Sequence, residues 1–199
     1  MATQSQRRAS TRDAILNAAQ ELFDRDGFDE TTVDAITMTA DVAKGTFYQH
    51  FETKDEVLRA LIRRYQSTSL EEVERQLSKG HRPLELARSL VTQLGNSCER
   101  HKKTLGRMMS IEMHKPPKKG EPSTREMFAR TFEEAQKRGE IRNDVDAYEL
   151  AVVFLGGLLP AMSHFAAKGK KGELTKWMEK AWRLFLEGAA CKKPKNRKR

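Results

Sequence analysis

Cysteine is almost missing: the 199 residues contain two, Cys98 and Cys191. One pair so far apart gives neither a metal-ligand spacing nor a disulfide framework, so a zinc fold and a stapled secreted scaffold are both excluded. A reduced, cytoplasmic setting is the expectation. No apolar run reaches the ~18 residues that argue a membrane span. The longest, around residues 150–162, is interrupted by Gly156, Gly157 and Pro160, and no membrane partner is expected. The opening MATQSQRRAST has arginines but no apolar segment behind them, unlike a secretory signal. Period-two runs bounded by turn residues are absent, which removes the signal for strands. No internal repeat is found. Catalytic motifs are missing too: no Gly-rich phosphate loop, no metal-ligand cluster and no nucleophile motif. His81, His101, His114 and His164 are scattered. Cys98 and His101 share a helical spacing, but two ligands make no metal site. The expectation is a protein that is not an enzyme and holds no cofactor or metal.

The charge is plentiful but unevenly placed. The net charge is +9, yet the first 60 residues hold seven Lys/Arg against eleven Asp/Glu. Residues 192–199 hold six basic residues and no acidic one. A high overall pI is therefore no argument for nucleic-acid binding, which has to rest on where individual charges sit.

What is present is helical periodicity, and it predicts an all-α chain of about nine helices. Residues 1–9 are polar with Arg7 and Arg8 and read as a flexible arm; with Arg12, they are candidates for a minor-groove contact or a solvated arm. Ser10 with Asp13 resembles a capping box, and Ile15, Leu16, Ala19, Leu22 and Phe23 recur at helical spacing until Gly27. Thr31 with Asp34 starts a short helix, and Asp41–Val42 form a turn. Residues 44–51 form two further helical turns, and Thr53 with Glu56 opens a long helix to about Lys79. Helices follow from Pro83, Thr104, Ser123, Asp146 and Glu173. The predicted organisation is a 10–56 helix–turn–helix head, a 57–190 ligand-binding and dimerisation body, and a basic, disordered 191–199 tail. That tail is a candidate for salt-dependent DNA affinity or for a solubilising role.

On a wheel of 100° per residue, Phe47 and Phe51 coincide and face inward. Gln49 lies nearly opposite, flanked by Gly45 and Thr46, with Tyr48 and His50 at the edges and Lys44 in the first turn. These groups suit double-stranded DNA: Gln pairs with adenine, Lys reaches guanine, and a Thr methyl meets thymine. Gly45 permits close backbone approach, and Thr32, Tyr48, His50 and Lys54 lie where phosphates are held. A small structural helix with a solvated face is the competing reading.

The segment TRDAILNAAQELFDRDGFDETTVDAITMTADVAKGTFYQHFETKDEVLRALI, about residues 9–62, resembles the N-terminal domain of the TetR (tetracycline-repressor) family of bacterial regulators. The matching motifs are A-x-x-L-F within residues 18–23, Gly27-Phe28, T-T-V-x-x-I at 31–36, K-G-x-F-Y-x-H-F at 44–51, and K-x-x-x-L at 54–58. The resemblance implies Lys44, Gly45, Thr46, Tyr48 and Gln49 near the bases, and Thr32, His50 and Lys54 on the backbone. The chain departs from the family pattern at Thr37 (usually Ala), Asp41 (usually Gly) and Ala43 (usually Ser or Thr). Ala43 leaves the recognition helix without a side-chain cap.

One short helix reads few base pairs, whereas two on a two-fold axis, about 34–36 Å apart, read a palindrome. The stripe containing Ala147, Leu150, Ala151, Phe154, Leu155, Leu158 and Leu159, and that of Trp177, Ala181, Leu184 and Phe185, are candidates for a homodimer interface. The family implies a four-helix bundle of the last two helices from each subunit; burial within one subunit is the alternative. The family also places an inducer pocket in the body. Candidate walls are Leu105, Met108, Met109, Met113, Phe128, Phe132, Tyr148 and Phe154, with ordinary core packing the alternative for each. The basic set Arg100, Lys102, Lys103, Arg107, Lys115, Lys118 and Lys119 fits an anionic ligand or, more simply, a solvated face. The functional expectation is a homodimeric, inducer-released transcriptional repressor on a palindromic operator. The alternative is a constitutive DNA-binding protein or an activator without a small-molecule ligand.

Overall fold

The computed structural model describes residues 3–114 and 116–189. Among them are nine helices and no strand: α1 (Gln4–Arg25), α2 (Val33–Thr39), α3 (Lys44–His50), α4 (Lys54–Ser78), α5 (Pro83–Arg100), α6 (Lys102–His114), α7 (Thr124–Lys137), α8 (Ala147–Lys168) and α9 (Glu173–Ala189). The all-α expectation holds. The expected 191–199 tail and Lys115 lie outside the described residues. The helices group into two compact units. One holds α1–α3, the start of α4, and α6; the other holds the rest of α4 with α5, α7, α8 and α9.

The first unit is built on α1, whose Ile15, Leu16, Ala19, Leu22 and Phe23 are buried against Ile36, Phe47, Phe51, Val57 and Leu58. Two boundaries differ from the sequence reading. The expected arm is helix from Gln4, because Thr3 and Gln6 form a reciprocal capping box upstream of Ser10. The unit also takes in α6, which the periodicity had assigned to the body. Ile111 and Met108 of α6 pack against the head core, and the Thr104 hydroxyl donates to the Phe23 carbonyl. The Arg107 guanidinium makes two bonds to the Asp55 carboxylate, while His101 Nδ1 lies 2.7 Å from Asp24.

The turn before α3 is unusual. Asp41 has φ of 53°, the only non-glycine residue with positive φ among those described. Its N–H bonds to the Met38 carbonyl and the Val42 N–H bonds to the Thr37 carbonyl, the doubly bonded end that a left-handed residue makes possible. Thr37, in place of the small residue more usual there, is buried, and its hydroxyl donates to the Asp34 carbonyl. Ala43 caps α3 without any side-chain bond, so the first amides of that helix lack a side-chain acceptor.

In the second unit, Phe128, Phe132, Phe154, Trp182 and Phe185 form one aromatic cluster, with ring centroids 5.0–6.5 Å apart. The Glu99 carboxylate of α5 accepts from the Gly172 and Thr175 amides and the Thr175 hydroxyl at the start of α9. Burial alone would raise its pKa, but the bonds from Thr175 and Gly172 outweigh burial and hold it low. Gly95 lets α9 approach: an added Cβ there would lie 3.0 Å from the Thr175 Cα. α8 is, by length and composition, apolar enough to cross a membrane, with mean hydropathy 1.8 across a window broken by only a few polar residues. Core helices of globular proteins pass the same test, but only 28% of that window is buried inside the unit.

The two weak points around α3 generate a stability test. Ala43→Ser should raise the unfolding free energy by about 1 kcal/mol through a restored cap. Asp41→Val should lower it by about 1–2 kcal/mol, because a β-branched residue resists the left-handed conformation. Urea unfolding followed by circular dichroism measures both.

Candidate nucleic-acid interface

The recognition surface is set from the inside. Phe47 is fully buried and Phe51 nearly so, their rings 6.1 Å apart in the core. Their burial fixes the roll of α3, and each large apolar side chain contributes about 1.5–3 kcal/mol to holding it. Lys44, Gly45, Tyr48 and Gln49 are then exposed, while Thr46 and His50 are half-buried at the margins. Tyr48 packs edge-on against Phe47, its ring 5.4 Å away. A Cβ on Gly45 would meet nothing within 4 Å, so internal packing does not demand a glycine there.

The charged members are partly engaged within the head. Lys44 Nζ lies 2.6 Å from Asp34 on α2, and that bond raises the lysine pKa. Both side chains are mostly exposed, so water screens the pair and it costs little to open. Thr32 is the N-cap of α2: its hydroxyl accepts from the Ala35 amide while the residue stays exposed. Lys54 departs from the sequence reading. Its ammonium donates to the carbonyls of Phe28, Asp29 and Thr31 and lies over the Phe28 ring, 4.3 Å from the centroid. Burial lowers its pKa. An ammonium has three donors, and all three are used on the α1–α2 loop, so Lys54 ties that loop to α4 instead of presenting a charge outward.

The body candidates divide. Leu105, Met108, Met109 and Met113 lie on α6 in the first unit; Leu105 is buried, and Met113 is 67% exposed. Phe128, Phe132 and Phe154 come together in the aromatic cluster of the second unit, and Tyr148 lies beneath Lys119, 5.6 Å from its ring centroid. Trp182, at the centre of that cluster, was not among the candidates, although its spacing with Met178 and Phe185 is helical. The α9 stripe proposed for a dimer faces outward at Trp177 and Leu184, with Ala181 half-buried, but Phe185 turns into its own unit. On α8, Ala151 and Leu158 are buried inside the unit, Leu155 is half-buried and Leu159 exposed. Val152 and Val153, both exposed, complete that outward face. Cys98 is buried, and burial pushes its thiol up to about 12.

Residues 15–61 match the family model described as bacterial regulatory proteins, tetR family. The HTH-type transcriptional regulator UidR of Escherichia coli K12 is 28% identical over 148 residues, covering 68% of this chain and 71% of that protein. The crystal structure of Thermus thermophilus FadR, a TetR-family transcriptional repressor in complex with lauroyl-CoA, superposes with a TM-score of 0.72. It is 26% identical, covering 94% of this chain and all of that one. The fold is also that of SmeT, repressor of the Stenotrophomonas maltophilia multidrug efflux pump SmeDEF, with a TM-score of 0.66 at 21% identity, covering 92% and 93% of the two chains. With α3 presented on Phe47 and Phe51, residues 15–61 match the tetR-family model, and the chain as a whole resembles TetR-family transcriptional regulators in sequence and in fold.

Proposed function

We propose that the protein is a transcriptional repressor that binds a palindromic operator as a cytoplasmic homodimer and is released by a small-molecule effector. The observation that carries the DNA half is the outward face of α3, where Lys44, Gly45, Tyr48 and Gln49 are exposed around a core-anchored helix. Gln49 reads a base edge, Lys44 leaves Asp34 for the duplex, and Gly45 allows the backbone close. Thr46 supplies a methyl at the margin, while Thr32 and His50 hold phosphates. Lys54 acts from behind, by fixing the α1–α2 loop.

A homodimer is supported by an apolar face that no described residue of the second unit covers. Val153 is 66% exposed, Leu184 67% and Trp177 41%, next to Gly156, Gly157 and Pro160, which are exposed on α8. Large exposed apolar patches of this kind mark interaction surfaces, and small residues let helices approach closely. The effector reading rests on the second unit alone, where Phe128, Phe132, Phe154 and Trp182 offer an apolar wall. The TetR-family FadR with lauroyl-CoA bound supplies a first probe.

Three experiments test these readings. In selection from random duplexes, Gln49→Ala should relax preference at one or two positions and cost about 1–3 kcal/mol at the selected site. Gly45→Ala should weaken every site while the protein melts no lower, since alanine is the better helix former by up to about 1 kcal/mol. Equal, uniform losses from both variants with lowered melting would overturn the assignment of α3. Second, Val153→Glu with Leu184→Glu should shift sedimentation from dimer to monomer and leave helicity unchanged. Third, lauroyl-CoA should raise the melting temperature and lower operator affinity; Phe154→Ala should blunt both effects. No melting shift and no loss of affinity would argue for the effector-free alternative.

A further inference from the structure

Basic side chains collect at one edge of the recognition helix, away from its base-facing side. α1 is helical from Gln4, so Arg8 and Arg12, four residues apart, share a face. The Arg12 guanidinium sits over the Phe51 ring, 5.0 Å from its centroid, beside His50 at the end of α3. Burial first, and then Arg8 and Arg12, push the His50 imidazole below its ordinary value. Two arginines of this unit pair with carboxylates, Arg25 with Asp26 and Arg107 with Asp55. Among the described residues Arg8 and Arg12 have no carboxylate partner. The two guanidiniums repel one another and disfavour a proton on the imidazole, and an anion between them relieves both effects with charge-assisted hydrogen bonds.

We propose that Arg8, Arg12 and His50 form a clamp for a DNA phosphate flanking the bases read by α3, and that the clamp takes up a proton on His50 as it closes. This rests on the DNA-binding reading above. It replaces the minor-groove arm, because an arm that threads a groove has to be extended and these arginines are fixed in a helix. The sign follows from linkage. The imidazole titrates low in the free head; a bound phosphate favours its charged form and raises its pKa. Binding therefore consumes a proton, and affinity rises as pH falls through the bound-state value, levelling off below the free-state value.

The test measures affinity of the full chain by fluorescence anisotropy for a duplex selected from random sequence and for a scrambled duplex, between pH 5.5 and 8. Wild type should tighten towards acid pH, by up to roughly tenfold per pH unit per head, on both duplexes. His50→Gln should flatten that dependence. Arg8→Gln with Arg12→Gln should flatten it too and reduce the salt slope by about two per head, whereas Arg8→Lys with Arg12→Lys should keep the salt slope. Thermal melts followed by circular dichroism identify a variant that fails to fold, and the lysine pair then carries the comparison. NMR titration of His50 should move upward with duplex and stay put with inorganic phosphate alone. An equal shift with inorganic phosphate would overturn the DNA assignment of the clamp. A wild-type pH dependence in His50→Gln, or a wild-type salt slope in the double glutamine variant, would overturn the clamp and leave the DNA reader standing. A wild type that binds neither duplex would remove both.

Discussion

The burial of Phe47 and Phe51 is the constraint on which the head depends. A helix of seven residues is too short to hold itself in water; α3 exists because two aromatic side chains on one face are drawn into the core beside Ile15, Leu16 and Ile36. The same burial chooses which residues face out. Rolling the helix by one position would expose a phenylalanine and bury Gln49 or Lys44 without partners, a change that costs several kcal/mol. The chemistry of the outward surface of α3 is thus fixed by the apolar side chains behind it.

Electrostatics in this head works by placement. Acidic residues outnumber basic ones over the first 60 positions, yet several of the acids are spent on internal pairs: Asp55 on Arg107, Asp24 on His101, Asp26 on Arg25 and Asp34 on Lys44. Lys54 is spent in the opposite sense, on three carbonyls. Among the described residues the small basic edge of Arg8 and Arg12, beside His50 and α3, has no carboxylate to compensate it. A net count over the domain conceals such an edge, because the field near a surface depends on which charges are paired and where.

In the second unit, α8 and α9 are apolar on more than one face. α9 buries Leu174, Met178 and Trp182 within the unit and leaves Trp177 and Leu184 outside. α8 does the same with Phe154 and Leu158 inside and Val152 and Val153 outside. Helices with two apolar faces have one more contact to make than their own unit supplies, and a bundle shared between subunits is one arrangement that supplies it. Along each helix one face closes the aromatic cluster and the other stays exposed among the described residues.

The sequence alone determined the helical class, most helix starts and stops, and the inward pair Phe47 and Phe51. These follow from short-range rules, in which a side chain acts on its own backbone or on residues three and four away. Only the tertiary structure decided that α6 belongs with the head, that Lys54 faces inward, that residues 4–9 continue α1, and which apolar face of α9 is the buried one. Met108 and Ile111 look like any apolar pair until the core they enter is assembled. A lysine at a helix start points to a phosphate or to three carbonyls depending on a loop 25 residues away. Where both faces of a helix are apolar, periodicity carries no information about direction, and packing against Phe132 and Phe154 makes the choice.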